Sequence, residues 1–254
     1  MKKSITDTNQ PKKWYEIDWE DNFRSLLWAI IIALVFRTFL FEPFRIPSGS
    51  MIPNLQIGDF LFTSKFPYGY SKFSFPIEFP IIDGRVMQEH PNRGDIIVFR
   101  GAKDPDNFYI KRLIGLPGDE IQVINGAIYI NNAPLTRKSF GEYTRIGELG
   151  QHKKYDQYLE TLPNGVSYIT LADANINHHT FPDTTTVYKV PEKHYFFMGD
   201  NRNDSIDSRF LDYIGFIPEE NLVGRADFMA WTEDFSIKNF VVNQDSGRAL
   251  RLIK

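Results

Sequence analysis

Residues Phe44–Leu55 read FRIPSGSMIPNL, and the rest of the chain takes its meaning from what flanks them. Upstream lies an apolar stretch from Phe23 to Phe41; downstream the chain reads as β-rich and soluble. The segment sets Ser48 and Ser50 around Gly49, between Pro47 and Pro53. Proline fixes φ and stiffens a loop, and glycine lets another backbone approach closely. Such a loop can hold a hydroxyl in one direction at little further ordering cost. Read alone, the stretch is also a hinge joining an anchor to a domain, since such junctions are commonly rich in Pro, Gly and Ser.

Met1–Asp21 is polar, with Lys2, Lys3, Lys12 and Lys13 near its start. Phe23–Phe41 is interrupted only by Arg24, Ser25, Arg37 and Thr38, and about twenty residues cross a bilayer. The uninterrupted part, Leu26–Phe36, is short enough to be a buried helix. Two features favour the membrane: the stretch is apolar on all faces, and Arg37 lies near one end, where it can snorkel. The expectation is a single-pass anchor over residues 23–43 behind a tail of residues 1–22. Lysines hold a tail in the cytoplasm, which leaves everything after Phe44 outside it; Arg37 and Arg45 oppose that bias without reversing it. A cleavable signal peptide with Ser48-x-Ser50 as its small-residue site is the rival. Against it, the apolar region is long and ends on the bulky Phe39, Leu40 and Phe41.

The chain has 254 residues, enough for one or two domains with a real core. A net charge of −3 argues against a nucleic-acid binder. The absence of cysteine removes disulfides, thiol nucleophiles and Cys-based zinc sites. After the serine loop, Asp59–Lys65, Asp95–Arg100 and Phe108–Ile114 are short β-prone runs, and Phe66–Asp83 reads as a Phe- and Pro-rich irregular loop. Pro117-Gly118 marks a type II turn, and Asn125-Gly126 marks a hairpin between Glu120–Ile124 and Ala127–Ile130. Asn131–Thr186 is polar and weakly periodic, as an insertion or a small second domain would be. Strand character returns at Val187–Val190, Tyr195–Met198 and Arg225–Trp231.

Three constellations could carry chemistry. None of the five histidines, His90, His152, His178, His179 and His194, has a recognisable catalytic setting, and Ser50 lacks a G-x-S-x-G elbow. His178-His179 reads as solvent-facing. Asp200, Asp204 and Asp207 resemble a calcium loop, but Arg202 stands where a ligand should be and no twelfth-position glutamate follows. No metal or cofactor is therefore expected. Serine with lysine is the third: a lysine acts as a base when burial makes it neutral. Lys111 stands in a β-prone run, although a lysine in a strand commonly sits at an edge and points to water.

Together, SGSMIPNLQIGD, YIKRLIGLPGDEI and MGDNRNDSIDSR, in this order behind an apolar anchor, resemble the sequence boxes of type I signal peptidases, the bacterial leader peptidases. The resemblance covers roughly Phe44–Leu135 and Val190–Trp231. It implies a mainly β fold: an antiparallel catalytic core over residues 44–117 and 193–254, with a β-rich insertion over 118–192. It implies a membrane-bound serine endopeptidase of the bacterial inner membrane that removes signal peptides from preproteins, its partners being those preproteins and membrane lipid. Ser50 then matches the nucleophile and Lys111 the general base. Ser48, with the Ser50 N–H, matches the oxyanion donors, and Ser205 the hydroxyl that orients the lysine. Asp207 and Arg209 match a supporting pair, and Asp200, Asn201 and Arg202 belong to the same box. Phe44, Ile46, Pro47, Met51, Leu55, Tyr109 and Ile110 match the pockets for small side chains at −1 and −3. Asn203-Asp204 inverts the order common in that box. Other classes remain open: a self-cleaving repressor-type Ser/Lys protease, whose DNA-binding domain has no counterpart here, a non-catalytic membrane-anchored β-module, and a calcium-binding surface protein.

Overall fold

The computed structural model describes residues 19–75, 84–146, 151–231 and 251–253. They belong to two compact units that divide between Arg37 and Thr38. Helix α1, Trp19–Phe39, supplies the described residues of the first. Its 21 residues contain neither proline nor glycine; Glu20 and Asp21 in the first turn and Arg37 in the last complement the helix dipole. Leu26, Trp28, Ile30, Ile32, Leu34 and Val35 are all exposed, so no face is polar. A helix apolar all round is at home in a bilayer, and at 1.5 Å per residue this one is long enough to cross it. The helix begins four residues before the stretch 23–43 and stops at Phe39. Residues 41–43 instead find β-partners for their backbone groups.

In the second unit, β1 (Phe41–Arg45) pairs antiparallel with β2 (Phe60–Ser64). The serine loop fills the connection between them. Its base is closed by Ile46 N–H to Asp59 O and Gly58 N–H to Ile46 O, both 2.9 Å. Short strands β3 (Tyr70–Ser71) and β4 (Arg85–Val86) pair with each other. Next come β5 (Ile96–Arg100) and β6 (Phe108–Gly115), then β7 (Glu120–Ile124), β8 (Ala127–Ile130) and β9 (Ala133–Pro134). Three longer strands follow, β10 (Thr136–Ile146), β11 (His152–Thr161) and β12 (Ser167–Asp173), and then the short β13 (Tyr188–Lys189). The chain returns through β14 (His194–Met198), β15 (Ile217–Pro218), β16 (Leu222–Trp231) and β17 (Arg251–Leu252).

The largest sheet runs β1-β2-β16-β5-β6-β14-β15, with β17 added on β16. Residues 120–189 contribute two others, β13-β7-β8-β9 and β10-β11-β12. The hairpin at Asn125-Gly126 forms as expected: both residues have positive φ, 51° and 76°, and Ile124 faces Ala127. Strand β5 is apolar from Ile96 to Phe99 because both its faces are covered there. Ile96 and Val98 pack with Ile46, Met51 and Leu55 of the serine loop; Ile97 and Phe99 pack with Leu113 and Phe197 on the other side. A third cluster joins the large sheet to β7 and β8, with Ile114 and Phe196 against Ile121, Val123 and Ile128.

Phe66–Asp83 proves less irregular than its composition suggests. Tyr68 and Phe73 are buried, and Tyr68 donates to Asp95 at 2.7 Å, so residues 66–75 pack on their own domain while Phe66 stays exposed. Residues 76–83 lie outside the described residues.

Candidate active site

Ser50 sits in a single 3-10 turn, Gly49–Met51, at the crown of the serine loop. Met51 anchors the turn in the core, and Asn201 grips it from outside. The Asn201 backbone N–H donates to Ser50 O at 3.0 Å and its side-chain amide to Gly49 O at 3.1 Å. Lys111 lies in β6, which runs between β5 and β14 and is not an edge strand. Its side chain therefore points into the protein, 4% exposed, and Nζ donates to Ser50 Oγ at 2.6 Å; Ser50 is 5% exposed. Ser48 is exposed, with its Oγ 3.4 Å from Ser50 Oγ.

Burial pushes the Lys111 amine down to about 8, against the pull of the Asp207 and Asp200 charges. Neither carboxylate reaches the amine, because each is engaged by an arginine. Asp207 takes two bonds from Arg209, at 2.8 and 2.9 Å, one from Gly199 N–H at 3.0 Å and one from Ser205 Oγ at 2.8 Å. Despite full burial, these donors, Arg209 foremost, hold its carboxyl below the usual range. Asp200 is clamped by Arg112 through two bonds of 2.9 Å. The Ser205 hydroxyl, expected to orient the lysine, donates instead to Asp207, a charged and hence stronger acceptor. Among the described residues the only hydrogen bond of the Lys111 amine is to Ser50.

Gly199 explains how the two loops come so close. A Cβ there would stand 2.3 Å from Ser205 Oγ and 2.6 Å from Ser50 O. The close backbone approach expected at Gly49 is thus made at Gly199; what meets Gly49 is two side chains, Arg145 from β10 and Ile52 from its own loop. Asp200, Asp204 and Asp207 each face a different cation, and among the described residues no three potential metal ligands converge. The inverted pair Asn203-Asp204 is fully used. Asp204 accepts from Lys153 at 2.7 Å and from Tyr155, while Asn203 accepts from Asp173 N–H at 2.7 Å and donates to Asp183. His179 is exposed as expected, but His178 is half-buried and bonded to Asp183.

Of the seven residues matched to the substrate pockets, Phe44 and Tyr109 are half-buried and Pro47 is exposed. Ile46 and Ile110 are buried, and Met51 and Leu55 have no exposed surface at all. These last two can act on a bound side chain only as packing behind the pocket floor. Other residues that hold the site escaped the sequence reading because they lie in the polar insertion or beside a motif residue. Glu160 of β11 takes two bonds from Arg202, at 2.9 and 2.5 Å, and Tyr168 of β12 lies 4.1 Å beneath the Arg112 guanidinium. Asn54 donates to Asp200 at 2.7 Å.

A hydroxyl at hydrogen-bond distance from a buried, partly neutralised amine, on a mainly β framework, is the equipment of a serine endopeptidase. Comparison with known proteins places this one. The family model described as "Signal peptidase, peptidase S26" matches residues 19–231, and the chain belongs to that family. Signal peptidase I of Rickettsia typhi is 42% identical over 254 residues, 95% of this chain and 91% of that protein. Signal peptidase I of Rickettsia prowazekii is 43% identical over 235 residues, 88% of this chain and 87% of its own. A solved signal peptidase I from Enterococcus faecalis is 25% identical, with 97% of that chain and 54% of this one covered; at a TM-score of 0.30 the overlap is too loose to carry any point of geometry.

Proposed function

We propose that this chain removes N-terminal signal peptides from exported preproteins, with Ser50 as nucleophile and Lys111 as general base. The observation that carries the reading is the buried 2.6 Å contact between them. Once the amine has shed its proton, the Ser50 hydroxyl can donate along the same line. Oγ attacks the scissile carbonyl, and Lys111 takes the proton. The oxyanion falls to the Ser50 N–H and the Ser48 hydroxyl, worth on the order of 10²–10³ in kcat for one donor. The lysine then protonates the leaving amine, and a water activated by the same amine releases the acyl group from Ser50. Asp207 and Arg209, with Ser205 attached, act as positioning residues.

Small side chains at −1 and −3 suit the shallow surface offered by Phe44, Pro47 and Tyr109 over the buried Ile46, Met51, Leu55 and Ile110. The catalytic core is assigned to residues 44–117 and 193–254, with 118–192 inserted. The apolar helix is consistent with a membrane anchor. In our reading it spans the bacterial inner membrane with its N-terminus in the cytoplasm and the catalytic part outside. A preprotein whose apolar segment lies in the same bilayer then meets the enzyme at raised effective concentration. The test is cleavage of a preprotein by the purified full chain in detergent, with the product's new N-terminus sequenced. Cleavage after a small −1 residue, lost in Ser50→Ala, is expected; an unchanged rate in Ser50→Ala overturns the assignment.

A further inference from the structure

The Gly49 side of the nucleophile turn is covered by a charged group that the reaction above does not use. A Cβ at Gly49 would stand 3.0 Å from Arg145 Nη1 and 3.5 Å from its Cζ, so the guanidinium lies directly against the glycine between the two active-site serines. Packing keeps it there: Tyr143, two residues earlier on β10, lies against Ile52, Tyr155 and Leu171, and Ile52 belongs to the serine loop itself. The residue facing Arg145 across the sheet, Lys153, has its ammonium occupied by Asp204 at 2.7 Å and Asp173 at 3.1 Å. Arg145 is half-buried, yet among the described residues its guanidinium makes no hydrogen bond or ion pair. A guanidinium carries five donors suited to a carboxylate, and here none is engaged.

Resting on the serine-peptidase reading, we propose that Arg145 is a specificity-determining residue that binds a carboxylate of the preprotein just after the cleavage site. Anything held against Gly49 is within about one residue of the scissile bond. On the signal-peptide side the residues admitted at −1 and −3 are small and uncharged, and an apolar segment precedes them. An acid within the arginine's reach therefore belongs to the first residues of the mature chain.

The experiment compares kcat/KM for peptides spanning the cleavage site that carry Asp, Gln or Lys at each of the first three mature positions in turn. The full-length enzyme should prefer Asp to Gln at one of these positions, on the order of threefold at low salt, and the preference should fade as salt rises. The ratio should collapse towards one in Arg145→Gln, survive in Arg145→Lys, and turn in favour of Lys in Arg145→Glu. That inversion is something a merely structural arginine would not produce. Three results overturn the proposal: no Asp preference in the unmutated enzyme, a ratio unchanged in Arg145→Gln, or an equal loss of cleavage for all peptides. Cleavage by Ser50→Ala would instead strike the underlying serine mechanism.

Discussion

Lys111 and Arg112 are consecutive, both buried, and keep their charges on opposite terms. Burial acts against both, but Arg112 has the Asp200 carboxylate in a two-bond clamp and its pKa rises, whereas Lys111 has a neutral hydroxyl and falls to about 8. Activity should therefore drop about tenfold per pH unit below about 8, the acid limb of kcat/KM belonging to Lys111. Stability follows the same group. Between about 8 and the ordinary 10.5 the unfolded lysine is protonated and the folded one is not, so its contribution to stability rises with pH through that window. Below about 8 the full penalty is present, roughly 3 kcal/mol. Lys111→Arg cannot shed its charge and should be inactive from pH 7 to 10 while still unfolding cooperatively; turnover in that variant would remove lysine from the mechanism. Gly199→Ala drives a methyl into Ser50 O and Ser205, where the backbone must yield. It should lose about 1–3 kcal/mol of stability and activity as well, and a fully active variant would show that the loops can part harmlessly. At this scale Ser50 and Lys111 were legible because each stands inside a motif. Arg145 was not, since its contact with Gly49 joins positions far apart in the chain and no local pattern marks it.

At the scale of elements, turns were easier to read than the strands they serve. Asn125-Gly126 announces its hairpin through backbone conformations that few other residues adopt. Strand β10 announces nothing. It is an outer strand of its three-stranded sheet with most residues exposed, so no apolar alternation marks it. The stretch that looked like a polar insertion is in fact what fastens the loop 199–209. Lys153 and Tyr155 hold Asp204, and Glu160 holds Arg202. On the opposite side the same loop is tied to β6 through Asp200 and Arg112. Asp200→Ala would leave Arg112 buried without its counter-ion and should cost about 3–5 kcal/mol, read from the urea midpoint. A loss under 1 kcal/mol would mean that solvent reaches Arg112 and that the clamp is dispensable.

At the scale of the whole molecule, the helix that carries apolar side chains on every face dictates how the protein must be handled. The chain should remain in the membrane pellet through alkaline carbonate and high salt and leave it only with detergent; release by carbonate would contradict the anchor. The position of β6 has a further consequence. As an interior strand with neighbours on both edges and buried side chains on both faces, it belongs to the part of a protein that opens last. The amide of Lys111 should be among the slowest in the chain to exchange with deuterium, reporting whole-domain opening and no smaller fluctuation. With Lys111 as the proposed general base, this strand keeps that half of the pair in place until the domain itself opens. On heating, activity and the slow-exchanging amides should vanish at one temperature, with no interval in which a folded but dead enzyme accumulates.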